Sequence, residues 1–488
     1  MSVLDLRGTT ALDVLPRVGA AATGAVRLGP FQVRMLAAAA LAVAGWAPLY
    51  LGVLADLPGG SRAAYLLAVP VLLAVLAAGY RTPPCGVGDA ESDWIVAVLL
   101  GVAGITAIEV LTDRLPTLAG LWRLPALSGV VWFACVLIVL FGVRHAVRMW
   151  MVWVFAVAVT TPLPFLLLTA ELGGSDSAAI AVSAGIGAAA VALATPDAPW
   201  RLRTVATLIC LGAGLLIAWA WSTEAGLITP AVLVTGVLPV LAILVVHARV
   251  ATSSVPLSFP LPQRSTSSMA LLACLAAVLA LVGVRSDSGH SAEASVSGAW
   301  IERTAWGAPR EFPFITRYLG PHSTLQRFSM LPVDGLPAAA VDVMSTPDAG
   351  ALRDLADAVW YPSARPLDYR AAGGDGLPAG ARVLHSNADA VTSGADTPWY
   401  AVTWTWTSGP VHQRITVIVS QSLTGSIPPP APAPLSLPDT SVRPLLWLAR
   451  QQPDDTGGID DLVAARVRTV VDQVSTAVAR SSDEHTGV

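Results

Sequence analysis

The sequence predicts a polytopic α-helical membrane bundle of about nine transmembrane helices, followed by a C-terminal extracytoplasmic α+β domain. Three observations carry this. Nine uncharged apolar stretches fill the first 285 residues, and nothing like them follows. Arginines gather on alternate sides of those stretches. Beyond residue 300 the pattern changes to short alternating runs and one amphipathic helix. Five segments result: a cytoplasmic N-terminal segment (1–34), the bundle (35–285), a linker (286–299), the extracytoplasmic domain (300–425), and a Pro-rich segment with a C-terminal amphipathic helix (426–488).

The stretches run 35–55, 63–80, 94–108, 124–143, 149–170, 177–196, 204–223, 225–248 and 265–284. A helix needs roughly 20 apolar residues to cross the hydrocarbon core, and only self-satisfied backbone can live there. Charges fall at the gaps; the third stretch is the shortest, with Glu109 at its end. Trp94, Trp200, Trp219 and Trp221 fall at span ends, where an aromatic belt belongs. The first 30 residues hold no long apolar core, so the first span reads as a signal anchor rather than a cleaved signal peptide.

Orientation follows from the arginines. Counting the N-terminus as side one, that side holds Arg7, Arg17, Arg27, Arg34, Arg81, Arg144, Arg148, Arg201, Arg203, Arg249 and Arg264. Side two holds only Arg62, Arg114 and Arg123. The positive-inside rule then makes the N-terminus cytoplasmic, and an odd number of spans places the C-terminal domain outside. All 29 basic residues are arginine, a composition that suits a high-GC bacterium. The net charge of −4 divides into +3 for residues 1–285 (15 Arg, 12 acids) and −7 for the rest (14 Arg, 21 acids). An acidic, lysine-free outer domain is a poor ligand for nucleic acid or anionic lipid.

The four cysteines are Cys85, Cys135, Cys210 and Cys274, all ahead of the outer domain. That domain therefore has no disulfide and depends on packing. No Cys-x-x-Cys or His/Cys cluster suggests a metal site, and no cofactor motif is present. Within the tail, Thr324–Met330 and Ala338–Met344 read as strands and Ala349–Val359 as a helix. Tyr400–Trp406 and Val411–Ser420 flank Ser408-Gly409-Pro410 as a hairpin, with Tyr400, Val402, Trp404 and Trp406 on one face. Ile427–Pro438 is too Pro-rich for regular helix or a central strand. A short helix is expected around Arg443–Gln451. The final helix, near Ile459–Arg480, carries one stripe of Ile459, Leu462, Val463, Val467, Val470, Val471, Val474 and Val478. That stripe needs a cover, on the sheet, on the outer surface of the bundle or on a partner, and the sheet, nearby in sequence, is the expected one.

Residues 64–168 contain Ala64-Tyr65-Leu66-Leu67 leading to Val69-Pro70, a basic turn at Tyr80-Arg81, and Leu127-Ser128-Gly129 opening a span. Gly142, Arg144, Trp153 and Phe155 then lead to Thr161-Pro162-Leu163-Pro164. This segment, about a fifth of the chain, resembles the membrane core of the exosortase/archaeosortase family, and the tail is similar to its exosortase-associated domain. The resemblance implies a membrane transpeptidase using Cys, Arg and His at the outer face. The chain departs from that pattern. Glu171–Arg203 contains no cysteine, Cys210 sits in mid-span, no Asn-x-x-Arg element is found, and His247 lies near the cytoplasmic end. A thiolate nucleophile needs a cationic, partly exposed setting. No catalytic residue is carried over, and the resemblance implies a degenerate or repurposed member, or one whose nucleophile has been replaced.

Two groups of residues remain as candidate sites. Glu109, Asp113, Arg114, Arg123 and Glu171 form an outer-face polar cluster, read either as interfacial charge or as the acid site of a lipid-linked glycosyl transferase. Arg317, His322, Arg327, Trp360, Tyr361, His385, Trp404 and Trp406 mark the outer-domain surface. The tryptophans suit a sheet face against its own core or an aromatic platform. Ser323/His322/Asp342 and Ser386/His385/Asp389 can be drawn as triads, but neither has a nucleophile elbow. Ionisable residues are missing from mid-span, which argues against a proton-coupled transporter. The expected partners are the lipid bilayer and an exported envelope protein or polysaccharide, and the expected role is a scaffold of envelope assembly. An outer-leaflet enzyme is the alternative.

Overall fold

The computed structural model describes residues 30–56, 60–80, 90–221, 226–251, 266–286, 294–297, 300–304, 306–363, 366–372, 376–386, 398–423, 427–450 and 458–483. Arg7, Arg17, Arg27, Arg81, Cys85, Arg264 and Asp389 lie outside the described residues.

The first half is helical. Its elements are α1 (Pro30–Asp56), a 3-10 turn (Arg62–Ala68) running into α2 (Val69–Gly79), α3 (Ala90–Arg114), α4 (Pro116–Trp122) and α5 (Leu127–Phe141). There follow α6 (Val143–Arg148), α7 (Trp150–Thr160), α8 (Pro162–Glu171), α9 (Asp176–Ala194) and α10 (Trp200–Ala220). The set closes with α11 (Ile228–Val232), a π-helical turn (Leu233–Val237), α12 (Leu238–Ala251) and α13 (Thr266–Ser286). Seven helical segments among the described residues are long and apolar enough to cross a membrane, and the α7–α8 pair, bent by 68°, makes an eighth if taken as one span. The described residues of all nine apolar stretches are mostly helical, but the apolar part of α13, Ser267–Leu281, is shorter than a full span. The third stretch is longer than its sequence suggested, since α3 covers 25 residues.

The α7–α8 break has a local cause. Pro162 has no N–H and pushes the residue before it out of the helical region, and Thr161 is extended at φ −91, ψ 113. Both prolines of the Pro-x-Pro element then begin α8.

Two ends of the bundle are distinguishable by contact. At one end Asp93 accepts the backbone N–H of Val143 at 2.9 Å, capping the connection after α5, and Gly79 lies against the backbone of Ala194. At the other end lie Ser61–Arg62, α4 and the α8–α9 connection, and the C-terminal domain sits on them.

That domain is built on one eight-stranded sheet of order β2-β3-β4-β8-β7-β6-β5. The strands are β1 (Ala294–Val296), β2 (Arg310–Glu311), β3 (Thr324–Met330), β4 (Ala339–Thr346), β5 (Arg370–Ala371), β6 (Arg382–Ser386), β7 (Trp399–Ser408) and β8 (Val411–Ser420). β1 pairs in parallel with β7 at Trp406–Ser408, on the part of that strand beyond β6. The β7–β8 hairpin turns on Gly409-Pro410, with Gly409 at φ +61, the positive angle such a tight turn requires. Short helices α14 (Thr316–Leu319) and α15 (Ala349–Asp354) lie between strands. α15 is shorter than the 349–359 helix expected, because Leu355 leaves the helical region at φ −116.

Each sheet face has its own cover. Val341, Val343, Tyr400, Val402, Trp404, Trp406, Ile415 and Val417 pack under α17 (Asp461–Asp483), which contributes Val463, Val467, Val470, Val471 and Val474. Asp460 accepts the Leu462 N–H at 2.8 Å and caps that helix. On the opposite face Ala340, Leu384, Trp399, Ala401 and Ile418 pack with Tyr361, and Val359, Leu367 and Tyr369 cover them. Ile315, Leu319, Leu352, Leu355 and Trp360 belong to the same apolar core as Tyr65, Leu121, Leu163 and Phe165. The domain and the bundle therefore share a core.

Candidate functional site at the membrane–domain junction

The junction is organised by two buried charges that begin far apart in sequence. Asp354 ends α15. Its carboxylate accepts Ser61 Oγ–H at 2.8 Å, Arg62 N–H at 2.8 Å and Arg123 Nη2–H at 3.1 Å. The Asp354 side chain is 3% exposed and that of Arg123 is 23% exposed. Arg123 takes this position because it links α4 to the next helix in a left-handed conformation, φ 50. Burial pushes the Asp354 carboxyl above the usual aspartate range, against the pull of Arg123 and the Ser61, Arg62 and Ala63 donors.

Arg62, 5% exposed, works in the opposite sense. Its guanidinium donates to the carbonyl oxygens of Gly174, Arg317 and Tyr318. One cation thus ties the α8–α9 connection and α14 to the start of the second span. A Cβ on Gly174 would lie 2.0 Å from the Arg317 oxygen, and one on Gly120 would lie 2.0 Å from Asp357 Oδ2. At Gly174, which meets backbone, only glycine permits the approach, whereas at Gly120 the Asp357 carboxylate would have to move.

Beside the lock is a cleft of about 210 Å³. Leu115, Leu118 and Leu121 form one wall, Trp360, Tyr361 and Leu367 a second, and Leu435 and Pro444 a third. Its polar lining includes Asp357, Asp368, Asp439 and Arg443. Asp357 pairs with Arg382 and Asp439 with Arg443, each at 2.7 Å. Ligand pockets usually run about 300–1,000 Å³, so this cleft suits a side chain or a short chain segment rather than a large cofactor. The Trp360 ring nitrogen is buried without a hydrogen-bond partner.

The Pro-rich segment borders this cleft as a strap. Arg327 Nη1 donates to Pro430 O at 2.8 Å, Ala433 N–H to Trp360 O at 2.7 Å, and the Tyr318 hydroxyl to Leu435 O at 2.9 Å. Under the strap, Arg327 makes two 2.7 Å bonds to Asp342, which also accepts the Tyr361 hydroxyl at 2.6 Å. Burial and the adjacent Asp342 hold the Tyr361 phenol well above its usual range. Every member of this network has a partner, as a buried polar group requires.

The sequence-derived candidates separate on this geometry. Of the outer-face cluster, Arg123 enters the junction, whereas Glu109, Asp113, Arg114 and Glu171 are exposed at the ends of α3 and α8. Arg317 and His322 are exposed, with Arg317 contributing its backbone carbonyl to the lock. Arg327 is buried against Asp342, and Trp360 and Tyr361 line the cleft. His385 lies on β6 opposite Tyr400. Trp404 and Trp406 are packed under α17, with Trp406 Nε1 donating to Gln413 at 2.9 Å. Ser323 is buried, and Asp342 is held by Arg327 and Tyr361. Ser61, Arg62, Gly174 and Asp354 escaped sequence reasoning as site residues. The available signal was a carboxylate between Leu352 and Leu355 in the helical pattern Ala349–Val359.

Among the described residues no group of three or more His, Cys, Asp or Glu could hold a metal ion. Cys135 and Cys210 are buried and Cys274 is exposed on α13. No protein family, curated protein or solved structure matches the chain. What can be stated of the class is a multi-helix protein of membrane-spanning character with a sheet domain fixed to one end of its bundle.

Proposed function

We propose that this chain is a scaffold of bacterial cell-envelope assembly, related to the exosortase membrane core but non-catalytic or divergent. In this reading nine helices span the plasma membrane, the N-terminus is cytoplasmic, and the sheet domain rests on the outer surface. The domain then presents the junction cleft to an exported protein or polymer. The observation that carries the reading is the Ser61–Arg62–Arg123–Asp354 lock. It commits two buried charges to fixing the sheet domain to the bundle, with Asp354 accepting from Ser61, Arg62 and Arg123, and Arg62 donating to three backbone carbonyls. A buried ion pair contributes little net stability but is demanding of geometry, which suits a device that sets position. The side on which the lock lies supports the orientation. Arg62 and Arg123 are two of the few arginines on the arginine-poor side, where positive-inside bias places the exterior.

The cleft favours a second reading, an outer-leaflet enzyme of the transpeptidase or lipid-linked glycosyl transferase type, because polar groups converge there beside apolar walls. Asp357 and Asp439 are already in ion pairs, however, which fits binding better than proton transfer. Complementation separates the two. In cells lacking the chain, Asp357→Asn, Asp368→Asn and Asp439→Asn should each restore envelope function. Arg123→Ala together with Asp354→Ala should fail at normal expression. If the cleft variants fail and the junction variant succeeds, the enzyme reading replaces the scaffold.

A further inference from the structure

The segment after the strap has a face that the fold leaves uncovered. A π-helical turn (Pro438–Val442) leads into α16 (Arg443–Ala449). Ser441 and Pro444 are buried, and Trp447 and Leu448 half-buried, so this side meets the protein. On the other side Val442, Leu445 and Leu446 are each 50% exposed, and Ala449 is exposed with them. Positions 442, 445, 446 and 449 follow the i, i+3, i+4, i+7 spacing of a single helical stripe. Arg443 and Arg450 lie along one edge of it, and Leu437, 47% exposed, extends it toward the strap. An outward apolar stripe bordered by arginines is not a water-facing design.

Its level relative to the bundle identifies what covers it. α4 connects two membrane-length segments, Ala90–Arg114 and Leu124–Phe141, so it must lie at the boundary of the bilayer. The indole of Trp122, the last residue of α4, donates to Thr440 O at 3.2 Å. Leu115, Leu118 and Leu121 face Arg443 and Pro444 across the cleft. α16 therefore lies at the depth where the lipid-facing surface ends. α3 is exposed along Ile95, Val98, Leu99, Val102 and Val110, a surface only lipid can cover in a spanning helix, and Val110 lies about one turn short of the Arg114 end from which α4 departs.

We infer that residues 437–450 form an interfacial helix whose Val442–Leu445–Leu446–Ala449 stripe is immersed in the adjacent lipid leaflet. The lipid is then a second attachment of the sheet domain, independent of the Asp354 lock. Arg450 is exposed at the stripe's edge, where such helices place a cation for lipid phosphate, and Arg443 beside it is paired with Asp439. The occupant is the bilayer itself, and a second protein copy or a protein partner is the competing outcome.

The test uses the full chain with all four cysteines replaced, reconstituted in nanodiscs of mixed zwitterionic and anionic phospholipid. Nitroxide labels at Leu445→Cys and Leu446→Cys are compared with one at Asp472→Cys, exposed on α17. Labels at 445 and 446 should collide preferentially with molecular oxygen and be shielded from a water-soluble nickel chelate. The label at 472 should show the reverse. Equal nickel access at all three would place the stripe in water and overturn the inference. Exclusion of both reagents at 445 and 446 would show a protein cover and overturn it equally. Val442→Cys and Ala449→Cys repeat the measurement on the same stripe, so one badly behaved variant does not decide the outcome.

Discussion

Two adjacent glycines allow the junction to be tested by difference. Gly173 and Gly174 both have positive φ, +97 and +70. A Cβ at Gly173 meets nothing within 4 Å, whereas at Gly174 it would lie 2.0 Å from Arg317 O and 2.4 Å from its carbonyl carbon. Gly173→Ala therefore measures backbone strain alone, about 1–2 kcal/mol. Gly174→Ala adds an overlap with backbone that cannot rotate away, about 1–3 kcal/mol for overpacking. It also shifts the carbonyl that receives Arg62. At tenfold per about 1.4 kcal/mol, the excess corresponds to about 5- to 150-fold in the docking equilibrium. Hydrogen exchange of the full chain in nanodiscs reads this directly. The amides of Arg62, Gly320 and Ser323 should exchange faster in Gly174→Ala than in Gly173→Ala by that factor, while the β4–β8 ladder is unchanged. Equal exchange in the two variants would mean that the α8–α9 connection does not bear on the domain, and the lock would lose its third member.

Acidity should tighten the same joint. Burial raises the carboxyls of both Asp354 and Asp348, the latter also facing Asp176. A raised folded pKa contributes stability that is present below the ordinary aspartate range and is lost as pH rises through the raised values. Junction amides corrected for intrinsic exchange should thus be better protected at about pH 5 than at about pH 7.5, and the opposite trend would refute the assignment. In α17, Val471→Ala removes a fully buried side chain facing the sheet. The substitution deletes two buried methyl groups, worth about 1.5 kcal/mol, so thermal unfolding of the sheet domain should begin several degrees lower. An unchanged melting profile would place that helix elsewhere.

The parts of the fold governed by periodicity were legible in the sequence. The β7–β8 hairpin falls at the expected residues, because Gly409-Pro410 and the alternation from Tyr400 to Trp406 are local signals. The valine stripe of α17 likewise announced a partner, and the sheet is that partner. The junction was not legible. Asp354 and Arg62 are separated by 292 positions, and each resembles an ordinary boundary charge in its own neighbourhood. Glu109, Asp113 and Arg114 attracted attention because charges at span ends are conspicuous. Exposure at the end of a helix costs a charge little, and it was Asp354, buried where the domain meets the bundle, that had to find partners. β5 and β6 were also hidden, since strands of two and five residues carry almost no alternation to detect.

The shared core has a consequence for biosynthesis. Leu319, Leu352, Leu355 and Trp360 are covered by residues of the helical half, Tyr65, Leu121 and Phe165 among them. A chain emerging from its amino end inserts the helices before these tail residues are made. The bundle then acts as the template on which the later half completes its packing. An error in helix insertion would be registered at a distance, as a tail with an unfinished apolar side, open to proteolysis before the protein could be used.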